Sequence, residues 1–208
     1  MLESALKEQL KGIFAGLEAN FTFDISVSSS HENKTELLEL LGDVADCSDH
    51  ITYSVSEGNG LKFTLLKNGN ATGITFCGIP NGHEFTSFIM GLYNVAGPGQ
   101  ALDGETMGRI KALDAPTDMQ IFVSLSCTMC PELVIAAQHI AALNPNVRTE
   151  AYDLNHFPAL KETYNVMSVP CLVLNGEKVL FGKKSINQLL DMLEQQEQKS
   201  RTSDRPEG

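Results

Sequence analysis

Two of the five cysteines in the chain, Cys127 and Cys130, stand two residues apart in the stretch VSLSCTMCPELV, Val123 to Val134. An apolar run of strand type, Ile121 to Leu125, leads into the pair, and a helical stripe of Leu133, Ala136, Ala137, Ile140 and Leu143 leads out of it. The spacing predicts a helix that starts around Cys127. Pro131 then falls in its first turn, where a missing N–H has no helical partner to lose. A thiol at such a helix start faces unpaired backbone N–H groups and the positive end of the helix dipole, which can draw its pKa from ~8.5 into the range ~3.5 to 7.5. Cys127 is therefore the expected attacking thiol. Cys130, one turn on, is placed to attack a mixed disulfide formed at Cys127 and release the reduced partner. A zinc site would need four ligands; without a second C-x-x-C, Cys171 and a histidine such as His83 or His156 would have to complete it. Cys47 and Cys77 each stand alone in an apolar pattern and read as buried small hydrophobes.

The rest of the composition narrows the setting. Among 208 residues, 15 Lys and Arg against 26 Asp and Glu give a formal charge of -11, and no basic run interrupts it, so nucleic acid is excluded as a partner. The first helix candidate interleaves Glu3, Lys7, Glu8 and Lys11 with its apolar residues and lacks the apolar core of a signal peptide. No other segment is long enough to span a bilayer, so no membrane is involved and a soluble cytoplasmic protein is expected. A compartment that keeps thiols reduced favours redox or metal chemistry for a cysteine pair over a structural staple.

The elements that must position the pair repeat along the chain. A helical stripe ending at Leu17 is followed by the alternating strand Phe21 to Val27, a second stripe from Leu37 to Ala45, strands at Ile51 to Val55 and Phe63 to Leu66, an Asn68-Gly69 turn, a strand at Ile74 to Cys77, and a helix from Phe85 to Ala96. After the turn-rich AGPGQALDG the order recurs. A helix around Met107 and Ile110, strand, helix, strand at Val147 to Tyr152, a short helix at Ala159 to Tyr164, a hairpin across Asn175-Gly176 and a helix through Leu193 follow. The expected fold is α/β, two copies of one small unit displaced by about a hundred residues: residues 1-100, residues 101-196, and a polar tail or linker at 197-208 with no apolar period.

The stretch SVPCLVLNG places Val169-Pro170 just ahead of a strand, about forty residues beyond the cysteines. A strand, a C-x-x-C at a helix start, then a proline before a hairpin and a last helix resembles the thioredoxin fold from about Met119 to Leu193. That resemblance implies that Pro170 is a cis-proline whose loop lies beside the disulfide and lines the partner groove. Two thioredoxin-like units with the motif only in the second, together with GHEFTSF (Gly82 to Phe88), SLSCTMCPELV (Ser124 to Val134), LNP (Leu143 to Pro145) and VMSVPCLVLNG (Val166 to Gly176), are similar to a narrower family. It is the N-terminal electron-transfer domain of the flavoprotein subunit of bacterial alkyl hydroperoxide reductase, over about residues 1 to 196.

The family resemblance implies a thiol-disulfide oxidoreductase of peroxide detoxification and cell redox homeostasis. It would take electrons from a thioredoxin-reductase-like flavoprotein and hand them to a peroxiredoxin. It further implies Cys127 and Cys130 as the redox pair, Pro170 as the cis-proline, and Glu84 as a buried carboxylate reaching the pair from the first unit. No cofactor or metal is expected on the chain itself: no G-x-G-x-x-G follows a strand, so FAD and NADH belong to a partner chain, and the protein is a fragment or a free-standing version of the family's domain. The first unit has SSSHE (Ser28 to Glu32) where a C-x-x-C would fall and GLKF (Gly60 to Phe63) where a proline would stand, so it should be redox-silent. Read from the residues alone, Glu84 also suits a helix first turn for dipole reasons, His83 and Asp153 suit surface or capping positions, and Cys171 suits either packing or a third redox thiol. The competing functions are a general protein disulfide oxidoreductase or glutaredoxin-like reductase, and a redox-inert or zinc-binding interaction module.

Overall fold

Alternation along the strands decides which side of the sheet is covered. In the computed structural model, which describes residues 2–203, β1 (Phe21–Val27) buries Phe21, Phe23, Ile25 and Val27 on one face and turns Thr22, Asp24 and Ser26 to the other. The strands β2 (Ile51–Ser56), β3 (Leu61–Lys67), β4 (Asn70–Cys77), β5 (Thr117–Val123), β6 (Val147–Asp153), β7 (Cys171–Leu174) and β8 (Lys178–Phe181) join it in an eight-stranded sheet of order β2-β1-β3-β4-β6-β5-β7-β8. The repeat expected from the sequence is explicit in this order. β1 pairs parallel with β2 and antiparallel with β3, which pairs antiparallel with β4; β5 does the same with β6, β7 and then β8. The two thioredoxin-like sheets are sewn edge to edge by the parallel pairing of β4 with β6, Ile74 opposite Thr149 and Phe76 opposite Ala151.

The helices α1 (Ser4–Phe14), α2 (Lys34–Ala45), α3 (Glu84–Ala96), α4 (Gly104–Lys111), α5 (Cys130–Leu143) and α7 (Ile186–Ser203) contribute to one hydrophobic core against the first face. In the first unit that core is aromatic, with Phe63 and Phe88 in ring contact with each other and each with Phe23 and Phe76. The second face has a small core of its own, formed by Phe122, Val166, Cys171 and Val173 under α6 (Pro158–Thr163). Among the described residues no helix is long and apolar enough to cross a membrane.

Two boundaries differ from the sequence expectation. The helix after the cysteines begins at Cys130 rather than around Cys127. A start at Cys127 would need an N–H at residue 131 to bond the Cys127 carbonyl, and Pro131 has none. The final helix does not end before the polar tail; it continues to Ser203, and the Glu197 carboxylate accepts the Ala115 N–H at 2.7 Å. Polar residues hold a helix when tertiary bonds replace an apolar stripe. Residues 204–208 of that expected tail lie outside the described residues.

Candidate active site at the start of the fifth helix

The chain leaves β5 at Val123, turns through a Cys127 N–H to Ser124 carbonyl bond of 2.9 Å, and enters α5 at Cys130. Cys127 and Cys130 are joined in a disulfide with their Cα atoms 5.5 Å apart, inside the usual span of such bonds. The two sulfurs are unequal. Cys127 is partly exposed in its turn, whereas Cys130 is 0 % exposed, so an incoming thiolate meets Cys127 first and Cys130 departs into the protein.

The Val169–Pro170 peptide is cis, Pro170 is buried, and its carbonyl accepts the Gly182 N–H at 2.9 Å. β7 begins at the next residue and pairs antiparallel with β5, Cys171 opposite Phe122. Pro170 is therefore level with Val123, where the chain departs toward Cys127. Val169 and Cys127 pack against the same core, and Met129 and Met167, on the two loops, are 51 % and 75 % exposed. Exposed methionines on both sides of a disulfide are adaptable apolar contacts.

Glu84 comes from the other unit. The segment Gly78 to Glu84 carries it from β4 into α3, and glycines with positive φ near its two ends let it pass close to the second unit. At Gly82 (φ 56°) a Cβ would stand 2.5 Å from the Leu125 carbonyl oxygen, and the neighbouring His83 N–H donates to that same oxygen at 3.1 Å. The helix start bearing Glu84 is thus tied to the loop two residues before Cys127. A second marker fixes the register. α3 and α5 both follow strands that run parallel to β6, so they run in the same direction, and a Cβ at Gly91 would lie 2.8 Å from Gln138 Oε1. About two turns back each helix begins, α3 at Glu84 and α5 at Cys130, so the two starts lie at the same end of the helix pair.

The Glu84 carboxyl is 2 % exposed. The Ser87 hydroxyl donates to its Oε2 at 2.7 Å, and Oε1 has no partner. Burial, partly opposed by the Ser87 bond and reinforced by the charge of Asp153, pushes its pKa up to about 7. A carboxyl with that affinity exchanges protons near neutrality.

Asp153, expected at the surface or as a cap, is 3 % exposed: Oδ1 does cap the Asn155 N–H at 3.0 Å, but Oδ2 is buried without a hydrogen-bond partner, with His156 Nε2 3.9 Å away. No period or motif marked it, because its burial comes from Gly78 packing on it across the seam. His83 is exposed. The Cys171 thiol faces the small core with Phe122 and Val173, away from the helix side, and burial pushes its pKa to about 11; burial also pushes Cys77 to about 12. Cys47, Cys77 and Cys171 are free and buried. Among the described residues no group of three or more His, Cys, Asp or Glu side chains could hold a metal ion, so Cys171, His83 and His156 do not assemble the zinc set considered above.

A disulfide at a strand-to-helix turn, beside a cis-proline loop on a thioredoxin-like unit fused to a second such unit, defines the class: a tandem thioredoxin-fold thiol–disulfide oxidoreductase. Residues 117–194 match the family model of the thioredoxin domain. The solved structure of the NTD_N/C domain of alkylhydroperoxide reductase AhpF from Enterococcus faecalis superposes with a TM-score of 0.88 at 35% identity, covering 93% of this chain and 100% of that one. The AhpF component of the alkyl hydroperoxide reductase of Pseudomonas aeruginosa is 35% identical over 192 residues, which make up 91% of this chain and 37% of that protein. A protein disulfide oxidoreductase from Aeropyrum pernix shares the fold, with a TM-score of 0.82 at 21% identity over 93% of this chain and 92% of that one. The chain belongs to the AhpF family, matching its N-terminal domain, and it spans little more than a third of the length of the curated relative it matches.

Proposed function

We propose that the protein is a dithiol relay that takes electrons from a thioredoxin-reductase-like flavoprotein module, which binds the FAD and NADH, and delivers them to a peroxiredoxin in the cytoplasm. The observation that carries this reading is the inequality of the two sulfurs, Cys127 reachable and Cys130 sealed, with a buried carboxyl of the other unit at the same end of the helix pair. In the first half-reaction a donor thiolate attacks Cys127 Sγ, the Cys127–Cys130 bond breaks, and Cys130 leaves as a thiolate that takes the Glu84 proton. The donor's second thiolate then attacks its own mixed-disulfide sulfur, releasing Cys127 as a thiolate; the donor is oxidised and the pair is reduced by two electrons. In the second half, Cys127 attacks the acceptor disulfide. Cys130 then returns its proton to Glu84 and attacks Cys127 Sγ, which expels the reduced acceptor.

Pro170 fixes the loop beside which the partner chain would lie, and Met129 and Met167 supply apolar contact there. Three free buried thiols accord with a reducing compartment. The family membership supports the choice of donor and acceptor.

Reconstitution tests the reading. The protein is mixed with a flavoprotein reductase, a peroxiredoxin, NADH and peroxide, and NADH oxidation is followed. Oxidation should require every component and should stop with Cys127→Ser or Cys130→Ser. If an unrelated disulfide protein drains electrons as fast as the peroxiredoxin does, the protein is a general disulfide reductase instead.

A further inference from the structure

Among the described residues, two buried carboxyl oxygens have no hydrogen-bond partner, Glu84 Oε1 and Asp153 Oδ2. Their side chains belong to different units and line the same small cavity, a space of about 10 Å³ shared with Cys77, Gly78, Pro80 and Leu125. That volume is at the limit for a single water molecule, and both oxygens are themselves shut off from solvent. The arrangement is held from outside. At Gly78 (φ 116°) a Cβ would stand 2.9 Å from Asp153 Cβ and 3.3 Å from His156 Cδ2, so the segment that delivers Glu84 closes on Asp153 only because residue 78 has no side chain. Two carboxylates enclosed together cannot both carry charge cheaply, and a shared proton relieves them.

We propose that Asp153 is a positioning residue for Glu84: the two carboxyls hold one proton between them across this cavity, and the pair sets the pH at which Cys130 can be deprotonated. This rests on the reading of Glu84 as the proton acceptor. In the closing step the Cys130 S–H proton passes to the pair, Cys130 Sγ bonds to Cys127 Sγ, and the bond from Cys127 to the departing partner breaks, leaving the partner sulfur as a thiolate. Asp153 touches no reacting atom and acts through Glu84. The titratable groups around the pair are few. Cys77 of β4 lines the cavity, the Cys127–Cys130 pair lies at the start of α5, and His156, in the turn after β6, has Nε2 3.9 Å from Asp153 Oδ2; α3 adds only the Ser87 hydroxyl.

The closing step can be isolated with 5,5′-dithiobis(2-nitrobenzoate). Attack by Cys127 releases one thionitrobenzoate, and closure by Cys130 releases the second. In Asp153→Asn, which keeps the side-chain oxygen that caps Asn155, the pH midpoint of the second release should move below the wild-type value, and its plateau should fall about three- to tenfold, as expected for a weaker base. Glu84→Gln should abolish that midpoint, and adding Asp153→Asn to it should change nothing more. His156→Gln should leave the midpoint in place. In the unmutated oxidised protein, ¹³C NMR of Glu84 Cδ and Asp153 Cγ should show both carbons responding at a common pH.

A folded Asp153→Asn with an unmoved midpoint, or two carbons that titrate independently, would overturn the pair and leave Asp153 as a turn cap. Loss of the midpoint in His156→Gln would overturn it by assigning the titration to the imidazole. An unmoved midpoint in Glu84→Gln alone is a separate failure, that of Glu84 as the acceptor.

Discussion

The two units trace the same path with the same strand order, yet only the second holds a disulfide. In the first, the His31 N–H bonds the Ser28 carbonyl at 3.1 Å and α2 begins at Lys34; in the second, the Cys127 N–H bonds the Ser124 carbonyl at 2.9 Å and α5 begins at Cys130. His31 and Lys34 thus stand where the cysteines stand, in the same turn. The crossovers differ more. From β2 to β3 the chain needs only Glu57 to Gly60, with Gly58 lying against Ser26, whereas from β6 to β7 it makes α6 and the loop that ends at Pro170. Without that excursion the described residues of the first unit place no helix over its second face, where Asp24, Thr52 and Ser54 are exposed, and no proline loop beside its turn. The backbone turn is common property; the thiols and the loop belong to the second unit alone, and the contribution proposed for the first unit is the acid, Glu84.

The sharpest way to break the comparison is to move the thiols. His31→Cys with Lys34→Cys, made in the Cys127→Ser, Cys130→Ser background, should give a pair that oxidises, since the turn geometry matches. It should support no measurable NADH oxidation through a peroxiredoxin, because Gly60 stands where Pro170 would and no loop like that of Pro170 flanks the turn. Turnover within a tenfold range of wild type would mean that a turn and two thiols suffice. In the native site, Cys130→Ser should trap a mixed disulfide at Cys127, and Cys127→Ser should trap almost none.

How much of this could be read from the sequence follows from the range of each signal. The C-x-x-C and both Asn-Gly turns are local, and the structure places Asn68, Gly69, Asn175 and Gly176 at the positive φ values such turns require. Pro131 was legible too, although its lack of an N–H shortens the helix it was expected to open. The join of β4 to β6 was not legible: either strand pattern suits a free edge as well as a paired one, and nothing in residues 70 to 77 names a partner 75 residues away. Gly78 and Gln138 carry no signal for the same reason, and neither does the burial of Asp153, whose capping of Asn155 is the local part of its setting.

The next largest effect should come from Glu84→Gln, which keeps the Ser87 bond and removes the titration. If proton transfer limits the closing step, its rate near pH 7 should fall by ~100- to 10,000-fold, with the deficit narrowing toward pH 9 as Cys130 ionises unaided. Stopped-flow reduction of a disulfide acceptor from pH 6 to 9 reads this directly. A folded variant that tracks wild type throughout would reduce the first unit to scaffold.

The same substitution has an opposite signature in stability. The folded-state pKa of Glu84 lies above its ordinary value, 4.5 rising to about 7, so the proton it binds stabilises the fold fully below pH 4.5 and that contribution is lost as pH rises through 7. At pH 8.5 the wild type carries a buried charge that the variant lacks. Glu84→Gln should therefore be more stable there by up to about 3 kcal/mol, with little difference near pH 4. Urea midpoints of the oxidised proteins at the two pH values check it; equal differences at both would mean that Glu84 is not buried as a titrating group.

The smallest effect sharpens the comparison at the seam, through two glycines in helix interiors. Glycine costs a helix about 0.5 to 1 kcal/mol relative to alanine, so replacing it should stabilise wherever the new methyl is free. At Gly42 in α2 of the first unit a Cβ meets nothing within 4 Å, and Gly42→Ala should raise Tm by roughly 2 to 3 °C. At Gly91 in α3 the methyl would stand 2.8 Å from Gln138 Oε1, and Gln138 is 1 % exposed, so its amide has little room to rotate away. Overpacking of about 1 to 3 kcal/mol should outweigh the propensity gain, and Gly91→Ala should lower Tm by a few degrees. Because Gly91 and Gln138 mark where α3 packs on α5, the helices that begin at Glu84 and Cys130, the variant should slow the closing step while leaving Cys127 alkylation unchanged. If Gly91→Ala is as stabilising as Gly42→Ala and closes its disulfide at the wild-type rate, α3 and α5 are not locked, and the acid reaches the dithiol by the Leu125 contact alone.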